Sequence, residues 1–222
     1  MGMSIFTTRY SKLNFSYDKG KVAKEILQHQ LIDIPPIKQY LNFRPFDLVD
    51  KSLYDQVTVL TTRGIEHGIL PSWQGYSFTH VPGDQMSRYG GNLSRLEHEK
   101  WEWKSDANCE YIKEIVDRLG FINIQNVRAM LLSPPGFGPV HNDVPPKTSY
   151  YDKHISITLN VADGGMPLVA MIDGSLKEYN DDCFIFQDNC WHGVGQVSSQ
   201  RIQLRINGIV DEARLNEILS RD

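Results

Sequence analysis

Cysteine is scarce: Cys109, Cys183 and Cys190 are the only three in 222 residues, scattered and without a C-x-x-C pair. That argues against a disulfide framework or a zinc knuckle and suits a reducing compartment. No apolar run approaches the roughly 18 residues of a membrane span. The start Met1–Arg9 lacks the charged-then-apolar layout of a secretory leader, so a soluble cytoplasmic protein with no membrane partner is expected. Lys and Arg do not cluster among aromatics and the formal net charge is −4, so no nucleic-acid partner is expected either. Internal repeats, low-complexity tracts and linkers are absent. With 41% hydrophobic and 23% charged residues, the chain is expected to form one well-packed domain spanning 1–222. No pattern specifies an oligomeric state.

The local patterns divide the chain into a helical and loop-rich part, about 1–120, and a β-rich part, about 125–210. Val22, Ala23, Ile26 and Leu27 recur at helical spacing within 18–30. Gln56–Thr62 reads as a strand. A second helix is expected from Ser105 or Asp106 to Leu119, where Tyr111, Ile112, Ile115, Val116 and Leu119 form a stripe and Gly120 supplies the stop. Between them, 70–104 is rich in Gly, Trp, Tyr and Pro and lacks periodicity, which predicts a loop or lid. After 125, segments of five to seven strand-like residues alternate with turns such as Ser133–Gly136 and Ala162–Gly165, the pattern of a β-sandwich or barrel. A short helix at about 211–220 closes the chain.

Within the β-rich part stands His141-Asn142-Asp143, followed 49 positions later by His192 and nine after that by Arg201. In an extended segment residues two apart point to one side, so His141 and Asp143 can grip one ion while Asn142 faces away. His192 must then arrive from another strand. Two imidazoles and one carboxylate on one face of a metal leave its other positions open, a set suited to non-haem Fe(II) that binds a cosubstrate and O2 together. Arg201-Ile202-Gln203-Leu204-Arg205-Ile206 alternates strictly, with Arg201, Gln203 and Arg205 on one face. A polar face this regular suggests a lined pocket rather than a solvated edge.

These residues resemble the Fe(II)/2-oxoglutarate-dependent oxygenases, and within them the aspartyl/asparaginyl β-hydroxylase-like group, which includes hydroxylases of free proline. The resemblance covers roughly 125–210. It rests on Val127–Leu132 leading into His141-Asn142-Asp143, on His154–Leu159, on Phe184–Asp188 with His192, and on Arg201–Leu204. It implies a mainly β fold with flanking helices, a double-stranded β-helix or jelly roll of the cupin type. It also implies Fe(II) on His141, Asp143 and His192, with 2-oxoglutarate as cosubstrate, its distal carboxylate on Arg201 and His154 helping to hold it. The polar side of His154, Ser156 and Thr158 agrees with that placement. Asp143 matches the proline-hydroxylase-like branch; Asp152 and Met130 stand where the aspartyl hydroxylase branch has an Arg and a hydroxyl residue, which weakens a role on aspartyl side chains.

The activity so implied is hydroxylation of a small, anionic molecule such as a free amino acid or amino-acid derivative. Arg205, about 13 Å beyond Arg201 on the same face, and Arg128 are the candidate holders of that anion. The alternative is a non-catalytic, metal-dependent module that binds or senses a small carboxylate on the same fold. A zinc hydrolase fits less well, because Asp143 is consumed as a ligand and leaves no general base.

Overall fold

The computed structural model describes residues 10–33, 73–83, 100–141, 154–172, 175–187, 190 and 192–219. The strand expected at Gln56–Thr62 and the metal candidate Asp143 lie outside them.

Eleven of the thirteen described strands form two sheets. The larger contains β1 (Tyr10–Lys12), β2 (Ile32–Asp33), β3 (Trp73–Ser77), β6 (Phe121–Leu132), β8 (Ile155–Asp163), β11 (Cys183–Phe186) and β13 (Arg201–Val210), in the order β1-β11-β8-β13-β6-β3-β2. The smaller contains β7 (Gly138–His141), β9 (Leu168–Ile172), β10 (Ser175–Tyr179) and β12 (His192–Val194), in the order β10-β9-β12-β7. The strands β4 (Thr79–His80) and β5 (Glu102–Trp103) form a separate pair. From β6 onward, strands alternate between the sheets except for the hairpin β9-β10, which stays in the smaller one, and these pairings are all antiparallel. That order, β11-β8-β13-β6 facing β10-β9-β12-β7, is the eight-stranded jelly roll expected from the sequence.

The helices cover the outer face of the larger sheet. Helix α1 (Lys19–Leu27) starts where the Asp18 side chain accepts from the Lys21 amide at 3.0 Å, and buries Val22 and Ile26. Helix α2 (Glu110–Leu119) buries Ile112, Ile115, Val116 and Leu119 and ends at Gly120, whose φ of 82° is the left-handed cap the sequence predicts. Its start is later than expected, since Glu102–Trp103 is committed to β5 and 104–108 form the turn that leads out of it. Helix α3 (Glu212–Ile218), capped by Asp211, matches the expected closing helix with shorter ends. These helices pack on Val127, Ala129, Leu131, Ile155, Ile157, Leu159, Ile202, Leu204 and Ile206 to form the main core. Among the described residues no helix is long and apolar enough to cross a membrane.

The expectation of an aperiodic loop over 70–104 needs correction. Residues Trp73–Ser77 form β3 and pair with Leu132–Arg128. The segment Trp-Gln-Gly-Tyr-Ser lacks the β-branched content that announces a strand, and backbone pairing to the long β6 overrides that weak propensity.

Candidate active site inside the jelly roll

Alternate residues of the four central strands point away from the helices, into the space between the sheets. Cross-strand register arranges them in rows. Leu132, Arg201 and Asp163 occupy the first; Met130, Gln203 and Asn160 the second; Arg128, Arg205 and Thr158 the third; Asn207 and Ser156 follow. Apart from Arg128, Met130 and Asp163, these side chains are buried, although most are polar. A smaller apolar cluster, including Leu132, Phe184 and Phe186 from the larger sheet and Leu168, Ala170 and Val194 from the smaller, fills the rest of this space. The alternation at Arg201–Ile206 therefore lines an interior.

Arg201 is 1% exposed. Its Nη1 donates to the carbonyls of Asp163 at 2.7 Å and Met166 at 2.6 Å, while Nε and Nη2 are buried without a hydrogen-bond partner. Burial lowers this guanidinium from its ordinary value to about 10, against the opposing pull of the Asp163 carboxylate, so it stays charged at neutral pH. The turn beside it requires glycine: Gly164 has φ +70°, and a Cβ there would lie 2.8 Å from Arg201 Cβ. One edge of the guanidinium is thus fixed to backbone. The other presents two N–H groups, the geometry that pairs with a carboxylate.

Across the interior, β12 pairs with β7 so that His192 stands directly opposite His141. Opposite residues of an antiparallel pair share one face of the sheet. The His192 ring is buried, stands edge-on to Phe186 with centroids 5.0 Å apart, and has Nδ1 2.9 Å from the Cys190 carbonyl. A carbonyl only accepts, so Nδ1 carries the proton and Nε2 the lone pair, the tautomer a metal ligand needs. Among the described residues no three His, Cys, Asp or Glu side chains converge as a metal cluster. The strand β7 begins at Gly138, where a Cβ would meet the Trp73 ring at 2.8 Å, and Trp73 is the register partner of Leu132. His141 stands three residues beyond Gly138 on β7, roughly 10 Å at the rise of an extended strand.

Arg205 is buried, donates through Nε to Ser156 Oγ at 2.7 Å and through Nη2 to the Phe186 carbonyl at 3.4 Å, and lies over the Phe186 ring. Its cross-strand partners are Thr158 and the half-buried Arg128, so two cations share a row. His154, with Nε2 3.2 Å from Gln125 Nε2, sits just before β8. Since Arg201 pairs with Asp163 and Gly208 with Ile155, His154 stands at the other end of the interior, roughly 23 Å along the strand from Arg201. Arg201, Arg205, Arg128 and His154 are thus spread along the larger sheet, while His192 and His141 stand on the smaller one. Asn160 and Asn207 are interior residues the sequence reading missed; the β8 alternation, followed past Thr158, would have reached Asn160.

The three cysteines are free and buried, as their scatter suggests. Burial pushes the thiol of Cys109 up to about 11 and that of Cys183 higher still, so neither serves as a nucleophile at neutral pH.

No protein-family model and no curated protein matches the chain. Among solved structures, it is similar to a Pseudomonas putida prolyl-4-hydroxylase at 15% identity, over 87% of this chain and 100% of that one, with a TM-score of 0.35. A Burkholderia pseudomallei oxidoreductase of the 2OG-Fe(II) oxygenase family overlaps at 13% identity, 89% and 95% coverage and a TM-score of 0.42. A Cupin 2 conserved barrel domain protein from Salinispora arenicola overlaps at 14% identity, 41% and 67% coverage and a TM-score of 0.25. The strand order, rather than these overlaps, carries the fold assignment.

Proposed function

We propose that the chain is an Fe(II)- and 2-oxoglutarate-dependent dioxygenase that hydroxylates a small anionic molecule such as a free amino acid or amino-acid derivative. Its motif pattern is that of the proline-hydroxylase-like branch of the aspartyl/asparaginyl β-hydroxylase-like group. The observation that carries the reading is Arg201, a buried cation with two N–H groups lacking partners in the interior where His192 stands opposite His141. A buried guanidinium edge of this kind favours a bidentate carboxylate.

The donor set fits the metal. His141, His192 and Asp143, the last carried by the sequence motif alone, are two neutral imidazoles and a carboxylate. When bound, Fe(II) and 2-oxoglutarate with O2 would supply oxidative decarboxylation to succinate and CO2 together with oxygen insertion into a C–H bond. The residues of the chain bind, orient and exclude. Arg201 would hold the distal carboxylate, its angle set by the Asp163 and Met166 carbonyls. The Cys190 carbonyl would fix the His192 ring. Phe186, Leu132 and Val194 keep the space dry, which strengthens each charged contact. Arg205 and Arg128 would receive the anionic group of the substrate. His154 stands more than 20 Å along the strand from Arg201, farther than a five-carbon dicarboxylate spans, so it would not share that ligand.

Aerobic incubation with Fe(II) and 2-oxoglutarate tests this. Succinate release, stimulated by one of a panel of amino acids and small acids, is expected. Tight 2-oxoglutarate binding without succinate would mark a carboxylate-binding module instead.

A further inference from the structure

The end of the interior remote from Arg201 carries its own group of buried polar atoms. Asn207 lies six residues beyond Arg201 on β13, roughly 20 Å at the rise of an extended strand, so a five-carbon dicarboxylate held by Arg201 does not reach it. It is 3% exposed, and its Oδ1 is buried without a hydrogen-bond partner. Pairing is irregular at this level: Ile206 pairs with Val127 but Gly208 with Ile124, so Gln125 and Asn126 together oppose Asn207. A bulge of this kind re-aims the side chains it carries. Gly208 permits it, since a Cβ there would collide with the Asn123 carbonyl. Asn126 is buried too, with no hydrogen-bond partner for Nδ2, while Ser77 shares its hydroxyl proton between Asn126 Oδ1 at 3.3 Å and the Thr79 carbonyl at 2.7 Å. Ser77 is the register partner of Arg128, and Arg128 of Arg205, so the contact places Asn126 on the interior face.

This row adjoins both the arginines and a metal-binding candidate. Asn207 pairs with Ser156, whose hydroxyl accepts from Arg205 Nε; Arg205 lies over the Phe186 ring, which meets the His192 ring edge-on. Two cations therefore stand beside one unused donor and one unused acceptor. A carboxylate alone would satisfy the cations and the Asn126 amide and leave Asn207 Oδ1 bare, which is costly in a dry site. A molecule that carries an N–H donor next to its carboxylate completes the row. We infer that Asn207 determines substrate specificity by accepting from the free α-ammonium group of an amino acid, whose carboxylate takes Asn126 Nδ2 together with Arg205. Acylation of that nitrogen removes its charge and adds bulk where Asn207 stands, so N-blocked derivatives and peptide-linked residues are refused. The inference rests on the proposed dioxygenase reading and deepens it, since it selects free amino acids from the wider class of small anions.

The test is equilibrium dialysis, read by mass spectrometry, of the full chain with Mn(II) and 2-oxoglutarate in the absence of oxygen. The probes are the twenty common L-amino acids and their N-acetyl counterparts. At least one free amino acid is expected to bind the wild type, and its N-acetyl counterpart at least about tenfold more weakly, as loss of a charge-assisted hydrogen bond predicts. Asn207→Leu should weaken that amino acid by about tenfold or more, whereas Asn207→Asp, which keeps an acceptor at the same length, should restore affinity to within about threefold. If the Leu variant folds poorly, the comparison of free and acetylated probes on the wild type decides alone. Equal binding of the two probes overturns the inference, as does unchanged amino-acid affinity in a folded Asn207→Leu, which would make Asn207 a structural residue. Failure of every free amino acid to bind the wild type overturns it too. In that case slow succinate release from 2-oxoglutarate in air with Fe(II) would leave the dioxygenase reading standing, and its absence would remove that reading as well.

Discussion

The two faces of the larger sheet are built from the same strands and differ in almost everything else. On the helix side, Ile202, Leu204 and Ile206 meet Ile155, Ile157 and Leu159 in a continuous apolar core. On the other side, Arg201, Gln203, Arg205 and Asn207 meet Asn160, Thr158 and Ser156, equally dry and nearly all polar. Five buried side-chain atoms without hydrogen-bond partners, from Arg201, Gln203, Asn160 and Asn207, come from that one interior. A one-residue period thus separates a face that stabilises the fold from one that costs stability and is kept for binding.

The largest expected separation of the two faces comes from Arg201→Leu. Loss of a buried bidentate contact costs on the order of 3–5 kcal/mol, so 2-oxoglutarate affinity should fall several hundredfold or more in a calorimetric titration, with a much smaller shift in thermal stability. In the wild type the affinity should hold between neutral pH and about 9, then fall as pH rises through about 10, where the guanidinium loses its proton. The contribution of this group to folding has the opposite sign. The unfolded chain retains the proton to higher pH, so above about 10 deprotonation of the folded form adds stability as pH rises. An affinity that is flat through pH 10 would separate Arg201 from the ligand.

Leu204→Ala, one residue away on the opposite face, should do the reverse. A cavity in the main core should lower unfolding free energy by about 2–5 kcal/mol in urea titration while leaving the 2-oxoglutarate affinity of the folded fraction intact. Comparable loss of binding in that variant would show that the two faces are not independent.

Much of this division is legible in the sequence, because a period of two is local information and Arg201–Ile206 states it without interruption. The helix stops and caps are legible for the same reason; Gly120 and Asp18 act on their own turns. What was not legible is long-range. Nothing near Trp73 announces that it will pair with Leu132, and nothing near Arg201 tells that the Asp163 and Met166 carbonyls will hold one side of its guanidinium and leave the other open. The placement of His192 opposite His141 is likewise a property of register between β12 and β7. His154 shows the converse, since a motif position that looks close to Arg201 on paper lies at the far end of its strand.

The smallest expected effect concerns the third interior row. Arg205→Ala should raise the KM for the anionic substrate about tenfold while sparing substrate-independent 2-oxoglutarate turnover, provided the Ser156 hydroxyl it leaves behind finds another partner. Equal loss of coupled and uncoupled turnover would place Arg205 in the structure rather than at the substrate.

The central claim is that the polar interior joins a metal at one point to a carboxylate cation at another. Titration of 2-oxoglutarate into the full chain without oxygen, with and without Fe(II), for the wild type, His192→Ala and Arg201→Leu, tests it most directly. The account predicts tight binding only for the metal-loaded wild type, with Fe(II) retention lost in His192→Ala and kept in Arg201→Leu. Binding of 2-oxoglutarate that is independent of Fe(II) and indifferent to both substitutions would contradict it.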